Sequence, residues 1–89
     1  MPRVVFTSNL QRYVTCPERE VRGTTVAQVL AGVFADTPRI RDYVLDEQGH
    51  VRTHVHIYVD GCRIADRERL TDAVQEGSEV CVLQALSGG

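Results

Sequence analysis

Lysine is missing altogether: all ten basic side chains among the 89 residues are arginine. No run of about 18 apolar residues occurs, so no membrane-spanning helix is expected. No basic–apolar–small leader is visible, so no secretory signal is expected either, which makes the cytoplasm the default location. Cysteine is sparse and odd in number. Cys16, Cys62 and Cys81 stand too far apart for a CxxC metal motif and do not make a disulfide framework. They read as free thiols in a reducing compartment, the alternative being a reactive role for one of them, such as a sulfur relay at Cys81.

What is present describes one small globular domain. A chain of 9.9 kDa buries roughly 60–65% of its unfolded surface, enough for one modest core. The hydrophobic fraction of 43% and charged fraction of 25% are ordinary for such a domain. The net charge of −2 is unevenly spread, because residues 45–89 hold four arginines against eight acids. An acidic C-terminal half argues against nucleic acid as a partner. It suits a basic protein surface, or simply a solvated face.

Arg3–Thr7 is a β-branched and aromatic run that predicts a strand. Tyr13–Cys16 and Glu20–Arg22 suggest a second, irregular one interrupted by Pro17. Thr25-Val26-Ala27-Gln28 has the form of a capping box. Behind it Val26, Val29, Leu30, Val33 and Phe34 make one apolar helical stripe, predicting a helix over roughly Val26 to Phe34. Thr37-Pro38 starts a second, short helix with Ile40, Tyr43 and Val44 facing inward. His54–Asp60 alternates strictly, with Val55, Ile57 and Val59 on one face and His54, His56, Tyr58 and Asp60 on the other, solvated face. Asp60-Gly61 signals a hairpin into a short strand at Arg63–Ala65. Leu70 and Val74 anchor a turn-rich stretch closed by Gly77, and Glu79–Leu86 is the last strand. One helix must then cover one face of a mixed sheet whose first and last strands lie side by side in its middle. The expected architecture is an α+β β-grasp domain over residues 1–86, with a flexible tail at 87–89.

The chain's chemistry concentrates at that tail. Gly88 and Gly89 carry no side chains, so they can enter a narrow channel in conformations closed to other residues. Three extended residues reach roughly 10 Å beyond the fold. Such a tail can deliver a carboxylate into a deep partner site while the domain stays outside. A carboxylate is a poor electrophile, so use of it requires activation, as an acyl-adenylate made from ATP by a partner. A sulfur nucleophile would then give a thiocarboxylate.

His54-Val55-His56-Ile57-Tyr58-Val59-Asp60-Gly61, the stretch Leu70 to Gly77, and Glu79-Val80-Cys81-Val82-Leu83-Gln84-Ala85-Leu86-Ser87-Gly88-Gly89 resemble the ubiquitin-like sulfur carriers of the MoaD/ThiS type. These include the small subunit of molybdopterin synthase and the thiamine-pathway carrier. The long Asp46–Thr53 stretch and the His-Val-x-Ile-Tyr-Val pattern are most similar to carriers serving cysteine or secondary-metabolite pathways. The resemblance implies adenylation of Gly89 by an E1-like enzyme, with Gly88 giving access. It further implies a sulfur donor such as a cysteine desulfurase or rhodanese-type protein, and a downstream sulfur-accepting synthase. The chain would then be a co-substrate and not an enzyme, with no bound cofactor. Gly77-Ser78-Glu79 replaces the Gly-Asp that often precedes the family's last strand, and an end at Gly89 would need no processing.

With Val80 and Val82 facing the core, Cys81 and Leu83 face outward beside the tail. Together with Ala85, Leu86 and Ser87 they form the predicted docking patch. No metal site is expected, since nothing completes a ligand set with His50, His54 and His56. Two other functions share this sequence. A ubiquitin-like modifier would form isopeptide bonds through Gly89, and without lysine it could not build chains on its own side chains. A plain interaction domain would never have its tail activated.

Overall fold

The computed structural model describes residues 1–7 and 17–84. The predicted strand at Tyr13–Cys16, the 86/87 boundary and the diglycine tail lie outside them. In order come β1 (Arg3–Phe6), β2 (Arg19–Glu20), α1 (Val26–Asp36), α2 (Pro38–Val44), β3 (Val55–Val59), β4 (Cys62–Arg63) and β5 (Glu79–Gln84).

The sheet order is β2-β1-β5-β3-β4. β5 therefore sits centrally, parallel to β1 and antiparallel to β3. A parallel β1–β5 pair needs a long crossover, and the two helices and the β3–β4 hairpin supply it.

Helix α1 begins where the sequence signals it. Thr25 Oγ1 accepts from Gln28 N at 3.2 Å. The Gln28 side chain reaches back to Thr24 N at 2.8 Å, one residue before the cap. Two further N–H groups of the first turn donate outside the helix, Val26 to Asp72 O and Ala27 to Leu70 O, so the 66–76 stretch closes the helix end. α2 starts at Pro38 as expected.

The inner sheet face and the helical stripe close one core. Val4, Val26, Val29, Val33, Ile40, Val44, Val55, Ile57, Val80 and Val82 are all fully shielded, and Leu30 nearly so. Phe34, Tyr43 and Val59 pack on its margin. Leu70 is buried with a left-handed backbone, φ 58°.

Two strands are displaced from their expected positions. The second is Arg19–Glu20 rather than Glu20–Arg22, with Val21 N donating to Pro2 O beyond it. The fourth is Cys62–Arg63 rather than Arg63–Ala65. Ile64 turns into the core there, and the Asp72 carboxylate accepts from the N–H groups of Ala65 and Asp66, both at 2.9 Å. Those bonds bend the chain away from the sheet.

Candidate functional site

The strand that leads to the tail is fixed at both ends. At its start, Asp60 Oδ1 accepts from Glu79 N at 2.9 Å and Asp60 Oδ2 from Ser78 Oγ at 2.8 Å. These bonds hold the Asp60 carboxyl below its usual range, the Glu79 N–H being the larger cause. Asp60 (φ 50°) and Gly61 (φ 84°) make the tight hairpin that aims this carboxylate. At the far end, Thr7 N donates to Val82 O at 3.1 Å, Gln84 N reaches Thr7 Oγ1 at 3.4 Å, and Gln84 pairs with Val55. Up to Gln84, the central strand that precedes the tail is thus clamped from both sides.

The register decides which side chains surround that exit. Val5 lies beside Cys81 across the parallel pair, Tyr58 beside Cys81 and His56 beside Leu83 across the antiparallel one. Alternation places all five on the sheet face away from the helices, each half-buried. Arg3 and Glu79, ion-paired at 2.9 Å, border this patch at one end, and Arg63 lies 5.9 Å from the Tyr58 ring centre at the β4 edge.

Cys81 and Leu83 therefore face outward, as their alternation with buried Val80 and Val82 predicts. Ala85, Leu86, Ser87, Gly88 and Gly89 lie outside the described residues. The histidine face is not the fully solvated surface expected, since His54, His56 and Tyr58 are only partly exposed. His56 Nδ1 is shielded and has no hydrogen-bond partner among the described residues. Burial pushes its imidazole below the ordinary value, and the charges of Arg63, Arg67 and His54 act the same way. His56 is thus an uncharged member of the patch at neutral pH. Burial pushes the Cys81 thiol up, with Glu79 adding to it, so Cys81 is a thiol and not a thiolate. Cys62 is exposed on the hairpin. Cys16 lies outside the described residues.

Val5, His56 and Tyr58 are patch members that reading one strand at a time does not connect. Alternation within β1 and β3 marks their faces, but only the register brings them beside Cys81 and Leu83. Among the described residues no three His, Cys, Asp or Glu side chains converge to hold a metal. No helix there is long and apolar enough to cross a membrane.

A mixed five-stranded sheet with its last strand central, one face under the main helix, defines a ubiquitin-like β-grasp protein. Residues 6–89 match the ThiS family model, and the chain belongs to that family. Among solved structures it is similar to a chain of the BexX/CysO complex of Amycolatopsis orientalis, with a TM-score of 0.83, 20% identity and 100% of each chain covered. CysO of Mycobacterium tuberculosis superposes at 0.80 with 21% identity, over 97% of this chain and 100% of that one. The small archaeal modifier protein 1 (SAMP1) of Methanosarcina acetivorans superposes at 0.77 with 25% identity, over 99% and 95%. No curated protein matches.

Proposed function

We propose that this chain is a sulfur carrier whose C-terminal carboxylate, on Gly89, is activated and converted to a thiocarboxylate. The observation that carries this is the family match, which runs through Gly88-Gly89 to residue 89. A carboxylate oxygen of Gly89 attacks the α-phosphorus of ATP bound by an E1-like partner, and pyrophosphate leaves. The outer sulfur of a persulfide on a cysteine desulfurase or rhodanese-type donor then attacks the acyl carbon, and AMP leaves. A thiol attacks the donor's inner sulfur, forming a disulfide with it and releasing the tail as a thiocarboxylate. The outcome is one oxygen replaced by sulfur, ready for a downstream synthase in cofactor, cysteine or secondary-metabolite synthesis. The chain acts as a co-substrate in the cytoplasm, and the reactive groups besides its own carboxylate come from its partners.

The clamped exit of β5 supports this reading, because adenylation needs two reacting atoms held in close alignment. Cys81 and Leu83 on the exit face, continued by Ala85, Leu86 and Ser87, would seat the partner. A second reading, conjugation of the same activated carboxyl to a protein amine, is favoured by the likeness to SAMP1, described as a modifier protein.

Intact mass after incubation with ATP, an E1-like enzyme and a sulfur donor tests the proposal. The expected result is the gain of oxygen exchanged for sulfur, confirmed by a thiol-selective label and abolished by removing the tail. Conjugates without any thiocarboxylate would favour the modifier reading instead.

A further inference from the structure

Arginine is chemically required at only some of the positions where this chain carries it. Arg67 Nη2 donates to two backbone carbonyls, Arg52 O at 2.6 Å and Val55 O at 2.7 Å. Arg19 bridges Pro17 O, Asp36 and Thr37. Arg3 joins Glu18 and Glu79, Arg52 Nε donates to Asp42 O, and Arg63 lies over Tyr58. A planar fork of donors suits each of these sites better than a single ammonium.

Arg39, Arg41 and Arg69 differ. All are exposed, and among the described residues their side chains make no hydrogen bond, ion pair or ring contact. Arg41 stands in the last turn of α2, where any cation satisfies the helix end equally. Lysine would serve at all three, yet none of the 89 residues is lysine.

The distinction that remains between the two cations is nucleophilicity. At pH 9 about 4% of lysine amines of ordinary pKa are neutral, whereas guanidinium groups stay almost wholly charged. A neutral amine attacks an activated acyl carbon, expels its leaving group and forms an amide after losing a proton. A guanidinium does not.

We propose that the surface of this chain is cleared of side-chain amines so that the activated tail of one copy cannot form an amide with a side chain of another. The chain is then an acyl donor that offers no side-chain amine as acceptor, and amide formation by its activated carboxyl is kept for an incoming amine from a different molecule. This rests on the activation of Gly89 proposed above.

The test prepares the full chain as a C-terminal thioester with a small thiol, so that no activating enzyme is needed. The unaltered sequence is compared with Arg39→Lys, Arg41→Lys and Arg69→Lys, singly and combined. Because these side chains make no hydrogen bond, ion pair or ring contact among the described residues, melting temperatures should be unchanged, and any single variant that does shift is left out. The expected result is a species of two chains less the thiol, with the amide mapped to the substituted position. Its initial rate should rise about tenfold from pH 8 to pH 9, following the neutral amine fraction. The Met1 amine, ion-paired with Glu76, is common to all forms, and an adduct on it maps to Met1 and not to a substituted position. Variants as free of mapped adduct as the unaltered chain would overturn the proposal. A parallel ATP–pyrophosphate exchange assay with an E1-like enzyme reports separately on the activation of Gly89.

Discussion

A Cβ added to Gly32 would lie 2.4 Å from Val21 Cγ1. Gly32 sits in the middle of α1, where glycine costs about 1 kcal/mol relative to alanine. The cost is accepted because the chain leaving β2 crosses the helix at this point, and Val21 packs there against the core. Valine is stiff about χ1 and cannot simply swing aside. Gly32→Ala should therefore destabilise the domain by about 1–3 kcal/mol through overpacking, despite its better helix propensity. Urea unfolding measures this, and a raised midpoint would mean that Val21 yields freely.

Leu30 is the largest fully buried side chain of the α1 stripe and is 1% exposed. Leu30→Ala removes its packing against the sheet and should cost about 2–5 kcal/mol. That is a large share of the stability of a small domain. A loss below about 1 kcal/mol would contradict the placement of this stripe against the sheet.

Much of this fold is legible along the chain, because its main elements carry strong local signals. Thr25 with Gln28, the stripe Val26 to Phe34 and the alternation from Val55 to Val59 each correspond to an element near its expected place. What is not legible arises from contacts distant in sequence. The fourth strand ends early because the Asp72 carboxylate captures Ala65 N and Asp66 N, a bond no local pattern announces. The site is legible in part. Outward Cys81 and Leu83 follow from alternation, whereas their neighbours Val5, His56 and Tyr58 require the register. The half-burial of the histidine face also comes from pairing, with Leu83 opposite His56.

Acid should weaken the 66–76 stretch in a defined window. Asp66 accepts from Arg69 N at 2.9 Å, Thr71 Oγ1 at 2.6 Å and Glu68 N at 3.1 Å. These bonds, led by that from Arg69, lower its carboxyl from 3.8 to about 2. A depressed folded pKa stabilises fully above the ordinary value, and that contribution is lost as pH falls from 3.8 toward about 2. Asp66→Ala should lower the melting temperature at pH 7 and flatten its dependence on pH across this window. Asp46, Asp60 and Glu76, also lowered, contribute to the slope that remains. An unaltered slope in the variant would show that Asp66 does not titrate low.

Leu83 tests the exit face without disturbing the core. It lies between buried Val82 and the tail, opposite His56, and points away from the helices. Leu83→Asp should weaken binding to an E1-like partner at least about tenfold, an effect of roughly 1.4 kcal/mol. The melting temperature should change little. Equal affinity in a calorimetric titration would remove Leu83 from the interface.

The tail gives the sharpest test of the proposed chemistry. To be adenylated, the Gly89 carboxylate must meet the α-phosphate of ATP in close alignment inside a partner's site. Gly88→Val adds a β-branched side chain to the segment that must thread there, so ATP–pyrophosphate exchange should fall sharply. Deleting Gly89 withdraws the carboxylate by about 3.5 Å and should abolish exchange. The core of Val4, Leu30, Ile57, Val80 and Val82 is built wholly from described residues, and thermal melts should match those of the unaltered chain. That pairing, activity lost with stability kept, separates a role in activation from a folding defect. A chain lacking both Gly88 and Gly89 that still supports exchange, or still acquires sulfur, would refute the carrier reading. Sulfur would then have to be held on a thiol, and Cys62, exposed on the hairpin, would be the first to substitute, since burial holds the Cys81 thiol protonated.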